Sequence, residues 1–137
     1  MQFQYPIEGG NFTKAGSASS EIKKILKKIN VPARIVKRTV VALYEAEVNI
    51  VAHARKGTIE VEIDPEKIRI VVQDEGPGIP DLNMAMREGY STASEKVREM
   101  GFGAGMGLPN IKKNINELDI QTEIDKGTRL TMINYFK

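Results

Sequence analysis

A sequence with no cysteine and a single histidine, His53, closes off several chemistries at once. Disulfide frameworks, thiolate catalysis and cysteine-ligated zinc are excluded, and one histidine cannot build a multi-histidine metal centre within one chain. The lack of cysteine fits a reducing compartment. Net charge is also small, since 20 Lys and Arg stand against 18 Asp and Glu for a formal +2. That balance gives no support to direct nucleic-acid binding. No apolar run approaches the ~20 residues of a membrane span, and the first residues lack a basic region followed by an apolar one. The expectation is a soluble cytoplasmic protein without membrane contact.

What the sequence does have is enough apolar material for a core. With 41% hydrophobic residues, the 137-residue chain reads as one domain, residues 1–137, able to bury roughly two-thirds of its surface. Phe3, Tyr5 and Ile7 alternate and predict a first strand. A helix is expected from Ala18, capped by Ser19 or Ser20, with Ile22, Ile25, Leu26 and Ile29 facing inward and lysines 23, 24, 27 and 28 facing solvent. Pro32 suits the first turn of a second helix running to about Ala54. From Thr39 onward that helix is apolar almost all round, which implies burial against a sheet. Thr58 to Ile63 and Lys67 to Val72 read as a hairpin joined at Asp64-Pro65-Glu66. Leu82 to Gly89 can form a short helix, and the polar stretch Tyr90 to Met100 is placed to act as a lid. A helix from Leu108 to Leu118 and strands Ile120 to Ile124 and Thr128 to Tyr135 complete the chain.

Three groups of residues are candidates for chemistry. Glu45 and Asn49 are four apart and stack on one face of the buried helix. A carboxamide oxygen can ligate Mg²⁺ and a carboxylate can orient or deprotonate a nucleophile, although the same spacing also describes an ordinary surface pair. Glu47 lies on the far side and has no such neighbour. His53, alone, reads as a packing or hydrogen-bonding histidine. Asp74, at a strand end before Gly76 and Gly78, can accept a hydrogen bond from an amino group such as adenine's and would reject a carbonyl, or it is simply part of a Pro-Gly turn. Glycines 101, 103, 105 and 107 run into a helix start. They form either a phosphate-holding loop, since glycine lets backbone N–H groups approach closely and a helix N-terminus favours anions, or a flexible linker. A P-loop is excluded because Gly107 is followed by Leu108, and the G-x-G-x-G spacing is not that of a dinucleotide fingerprint.

Taken in order, Glu45-x-x-x-Asn49, Asp74-x-Gly76-x-Gly78 and Gly103-x-Gly105-x-Gly107 resemble the ATP-binding domain shared by DNA gyrase, Hsp90 chaperones, histidine kinases and MutL. The resemblance covers nearly the whole chain. It implies the Bergerat fold, an α/β (α+β) two-layer sandwich in which a mixed, mainly antiparallel sheet carries its helices on one face. It also implies ATP and Mg²⁺ as cofactors. Asn49 would hold Mg²⁺ and Glu45 would be the general base. Asp74 would contact the adenine amino group, with Gly76 and Gly78 shaping the pocket and Thr128 assisting, commonly through water. Gly103, Gly105, Met106, Gly107 and Leu108 would wrap the phosphates, with Asn110, Lys112 and Lys113 as further candidate contacts. The phosphate loop contains no Arg or Lys, so positive charge there would come from Arg98, the following helix, Mg²⁺ or a partner.

Within that superfamily the chain is most similar to bacterial anti-sigma factors and switch-protein serine kinases. Glu88-Gly89-Tyr90-Ser91-Thr92 and the Gly-Met-Gly-Leu-Pro run at 105 to 109 carry this narrower likeness. It implies a serine/threonine protein kinase acting on a small STAS-domain anti-anti-sigma or switch protein. The alternative is a non-catalytic regulator in which bound ATP sets affinity for a sigma factor or another partner. A homodimer is compatible with either.

Overall fold

The computed structural model describes residues 1–79, 86 and 107–137. Its elements follow in the order β1 (Gln2–Glu8), a 3-10 turn (Phe12–Lys14), α1 (Ser17–Lys28), α2 (Ala33–His53), β2 (Lys56–Ile63), β3 (Lys67–Glu75), α3 (Gly107–Asn114), β4 (Glu117–Glu123) and β5 (Gly127–Tyr135). Apart from Met86, Leu82 to Met100 and glycines 101, 103 and 105 lie outside the described residues, and with them the short helix, lid and loop expected there.

Five strands form one sheet in the order β1-β2-β3-β5-β4, with every pairing antiparallel. Registry explains which side chains face inward. Tyr5 pairs with Ile59, Ile59 with Val72, Val72 with Leu130 and Leu130 with Ile120, so a single apolar row crosses all five strands. The neighbouring row runs from Phe3 through Val61, Ile70 and Met132 to Leu118. On the other face Gln4, Glu60, Gln73 and Arg129 are exposed. This period-2 division is what a sheet covered on one side requires.

The covering layer is α1, α2 and α3, with α2 in contact with both other helices and with the sheet. Ile22 and Leu26 of α1, Leu43 and Ile50 of α2, and Ile111 of α3 are almost wholly buried against the strand rows. Removing each such side chain from water stabilises the fold by roughly 1.5–3 kcal/mol. The expected two-layer α+β sandwich with helices on one face is therefore what the chain adopts.

Two local expectations differ from the structure. Neither Ser19 nor Ser20 caps α1: the N-cap is Gly16, in the left-handed region at φ 93°, and Ser19 lies inside the helix. The capping oxygens come from Glu47 of α2, 1% exposed, whose carboxylate accepts from Gly16 N (3.0 Å), Ala18 N (3.2 Å), Ser19 N (3.1 Å) and Ser19 Oγ (2.6 Å). A negative charge at a helix N-terminus is favoured by unpaired N–H groups and the helix dipole. Glu47, on the far side of α2 from Glu45, thus takes its partners from the start of α1 rather than from its own helix.

The last helix also stops earlier than expected, at Asn114 rather than Leu118. Asn114 Nδ2 turns back to donate to Asn110 O at 2.7 Å. Asn116 then joins the sheet, its N–H donating to Asn134 Oδ1 (2.8 Å) and its Oδ1 accepting from Tyr135 N (2.9 Å). From Glu117 on, Leu118, Ile120 and Thr122 alternate toward the helices, and the segment is a strand.

Candidate functional site

Helix α2 organises the site because three of its polar side chains recur at successive turns, Glu45, Asn49 and His53, on a helix whose other faces are largely buried. Glu45 and Asn49 are half-buried. The start of α3 packs onto them. Gly107 lies so close that a Cβ there would stand 3.2 Å from both Nδ2 and Oδ1 of Asn49. One turn on, Asn110 Nδ2 donates to Glu45 Oε1 at 3.3 Å. Sequence reasoning offered Asn110 only as a phosphate contact, whereas here it holds the Glu45 carboxylate.

Leu108 is 8% exposed and belongs to the core, so what it can offer a ligand is its backbone N–H. Pro109 is buried in the first helical turn, where its missing N–H has no helical role. Gly103, Gly105 and Met106 lie outside the described residues. Among the described residues no three His, Cys, Asp or Glu side chains converge as a metal site.

A second cluster forms where β3 meets β5. Thr128 N donates to Asp74 Oδ1 at 3.1 Å, linking residues 54 apart in sequence. The approach is close because Gly127, at φ 142°, has no side chain: a Cβ would fall 2.0 Å from Asp74 O. Burial raises the Asp74 carboxyl above its ordinary value, and the Thr128 N–H opposes that rise. The carboxylate is therefore half-buried, held on one side, and available as an acceptor on the other.

The residues after Asp74 are fixed to the β4–β5 turn. Gly78 adopts φ 78°, and a Cβ there would meet Glu123 O at 2.5 Å. Asp125 N donates to Pro77 O at 2.9 Å, and Ile79 N donates to Thr122 Oγ1, also at 2.9 Å. Thr122 Oγ1 in turn lies 3.0 Å from Thr128 Oγ1. Thr122 was missed from sequence; its signal was being the inward polar position that ends the Leu118, Ile120, Thr122 alternation.

The two clusters are joined through the end of α2. Arg55 N donates to Glu75 O at 2.9 Å, and a Cβ on Gly76 would touch Ala54 Cβ at 3.1 Å. From Glu45 to Ala54 the helix rises about 14 Å at 1.5 Å per residue. A carboxylate and carboxamide thus stand at one end of an elongated site and a recessed carboxylate at the other. His53, the last residue of α2, is half-buried, with its pKa lowered from 6.5 by desolvation. An acceptor set at one end suits an amino-bearing ring, and hard oxygen donors with a helix start at the other suit a cation with an anionic group.

Residues 12–134 match the family described as Histidine kinase-like ATPase domain, and the chain belongs to that family. Among its relatives, the serine/threonine-protein kinase RsbT of Bacillus subtilis is 31% identical over 104 residues, covering 73% of this chain and 72% of its own length. An anti-sigma F factor of a Thermoanaerobacter species is 34% identical over 99 residues, 69% of this chain and 66% of its own. The resemblance to switch kinases and anti-sigma factors is borne out by these matches. A solved structure of the RsbU and RsbW domains of a Mycobacterium tuberculosis protein superposes with a TM-score of 0.65 at 14% identity. It covers 98% of this chain, which spans only about a third (32%) of that longer one, and it shows the shared fold. Among the described residues, no helix is long and apolar enough to cross a membrane.

Proposed function

We propose that this protein is a single ATP-binding domain acting as a Mg²⁺-dependent serine/threonine protein kinase on a small STAS-domain regulatory partner. The observation that carries the reading is the cluster at the start of α3, where Asn110 restrains Glu45 and the Gly107 backbone abuts Asn49. Asp74 accepts from the adenine amino group, and guanine is disfavoured because its carbonyl would leave two acceptors facing each other. The N–H groups at the start of α3 would serve the phosphates, as helix N-termini do.

Asn49 Oδ1 would hold Mg²⁺. A single carboxamide oxygen fits that ion, which retains waters and takes its other ligands from phosphates rather than from a protein cage. Bound there, Mg²⁺ would supply neutralisation of phosphate charge. Glu45 takes the proton from the partner's Ser or Thr hydroxyl as its oxygen bonds to the γ-phosphorus and the bond to the β-phosphate oxygen breaks. Asn110 keeps the carboxylate aimed for that transfer. Positioning and charge supply most of the acceleration in such reactions.

The test pairs calorimetric titration with Mg-ATP and phosphotransfer to purified STAS-domain proteins. Glu45→Gln should retain ATP affinity and lose about 10²-fold or more in transfer, the usual scale for a general base. Equal transfer by that variant would remove the base assignment. The relatives named as anti-sigma F factors keep a regulatory reading in view: ATP that stays intact while changing partner affinity would replace the kinase reading with a nucleotide-gated binding protein.

A further inference from the structure

We infer that Thr122 is a specificity-determining residue that sets which end of the Thr128 hydroxyl faces the base. This rests on the ATP reading above and goes beyond it, because Thr122 does not itself contact the acceptor face of Asp74. The argument is a count of protons. Thr122 Oγ1 has three neighbours: Ile79 N at 2.9 Å, Gly127 O at 3.3 Å and Thr128 Oγ1 at 3.0 Å. A threonine hydroxyl offers one proton and two lone pairs. Ile79 N–H can only donate and Gly127 C=O can only accept. One lone pair of Thr122 therefore receives the Ile79 proton, and the single Thr122 proton goes to Gly127.

The remaining lone pair faces Thr128, so the contact at 3.0 Å is a hydrogen bond only if Thr128 donates it. The opposite assignment would set the Thr122 oxygen against the Gly127 oxygen with no proton between them. All three contacts are thus satisfied in one direction alone. With its proton committed to Thr122, Thr128 presents lone pairs to the pocket, beside the Asp74 carboxylate. The Asp74 carboxylate and the Thr128 hydroxyl are then both acceptors. An exocyclic amino group, directly or through a water that donates to Thr128, is matched, and a carbonyl is refused.

Loss of the Thr122 hydroxyl frees the Thr128 proton to turn toward the pocket, where it can serve a carbonyl. The pocket then loses affinity for ATP without a matching loss for GTP. A merely structural Thr122 would weaken all nucleotides together, so the ratio of dissociation constants is the decisive readout.

The experiment is calorimetric titration of wild type, Thr122→Val, Thr122→Ser and Thr128→Val with Mg-ATP and with Mg-GTP, alongside thermal denaturation of each. For Thr122→Val the expected result is ATP binding about tenfold weaker with GTP binding little changed, a loss of discrimination of ~1.4 kcal/mol. Thr122→Ser should restore the wild-type ratio. Combining Thr122→Val with Thr128→Val should cost no more selectivity than Thr128→Val alone, as expected when one residue acts through the other. If Thr122→Val does not fold, Thr122→Ala removes the same hydroxyl with less bulk and is read in the same way. A selectivity ratio unchanged in the folded variant, whether both affinities hold or both fall, overturns the inference and leaves the ATP reading intact. Failure of the wild-type protein to bind either nucleotide overturns the ATP reading and this inference with it.

Discussion

Glu47→Gln isolates the role of a charge that never reaches the surface. The substitution keeps the shape of the side chain and replaces one carboxylate oxygen by an NH₂ group. In wild type, Oε2 accepts from Gly16 N and Ala18 N, and Oε1 accepts from Ser19 N and Ser19 Oγ. Whichever way the new amide is turned, its NH₂ faces backbone donors. Facing Gly16 and Ala18 it loses two hydrogen bonds; facing Ser19 it loses the one from the backbone, while the serine hydroxyl can rotate to accept. Leaving a buried donor unsatisfied costs about 1–3 kcal/mol, and removing an anion from a helix N-terminus adds about 0.3–1 kcal/mol. The expected destabilisation is therefore about 3 kcal/mol, or roughly 10 °C in Tm for a domain of this size. Urea unfolding followed by far-ultraviolet circular dichroism, with the m-value unchanged, gives the figure. A loss below about 1 kcal/mol would refute the claim that Glu47 is the cap of α1.

Asp74→Asn should abolish selective ATP binding, by about tenfold or more, while leaving the fold as stable as wild type or more so at pH 7. Because burial raises the Asp74 pKa in the folded state, ionisation at neutral pH works against folding, and a neutral amide that still accepts from Thr128 N relieves it. Calorimetry and urea midpoints on the same preparation check both halves. His53 predicts the opposite kind of pH response. Its folded pKa lies below 6.5, so between the two values the unfolded chain binds more protons, and stability falls as pH drops from about 7 through 6.5 toward the folded value. His53 is the only histidine, so on going from pH 7.5 to pH 5.5 the urea midpoint of wild type should fall further than that of His53→Gln; equal falls would show that burial does not lower the group.

Much of the layered architecture could be read from period alone. Phe3, Tyr5 and Ile7 alternate, Ile22, Leu26 and Ile29 recur at helical spacing, and the apolar girth of α2 announced a helix under a sheet. The errors occurred where two periods overlapped or where a partner was remote. Ile111, Ile115 and Leu118 fit a helical stripe, yet Leu118, Ile120 and Thr122 also fit a strand. The choice was made by Asn116, whose bonds to Asn134 and Tyr135 cannot be seen until β5 is in place. Ser19 has the chemistry of a cap, but the acceptor that prevailed sits 28 residues away on another helix. Its signal was a carboxylate between Ala46 and Val48, on a helix where any buried charge demands a partner.

The candidate site was legible in a similar, uneven way. Glu45, Asn49 and Asp74 stood out because their residue types and spacings suggest chemistry, and Thr128 because it follows Lys126-Gly127. Asn110's hold on Glu45 and the Thr122 hydroxyl arise from packing across elements, where sequence distance carries no information. The charge deficit noted in the phosphate loop remains a property of the sequence around residues 100–107, and the described part of α3 adds Lys112 and Lys113 near its end.

The link between Asp74 and Thr128 also shapes how the protein is made. The two residues sit on β3 and β5, neighbours in space at the middle of the sheet, yet more than fifty positions of chain separate them. Pairings of such high sequence separation close late and slowly, because loop entropy must be overcome before any contact repays it. During synthesis β1, β2 and β3 can meet while β5 is still unmade, leaving one long edge of β3 unpaired. Until residue 128 has left the ribosome, the emerging chain exposes a sticky strand where the finished protein has its Asp74–Thr128 bond.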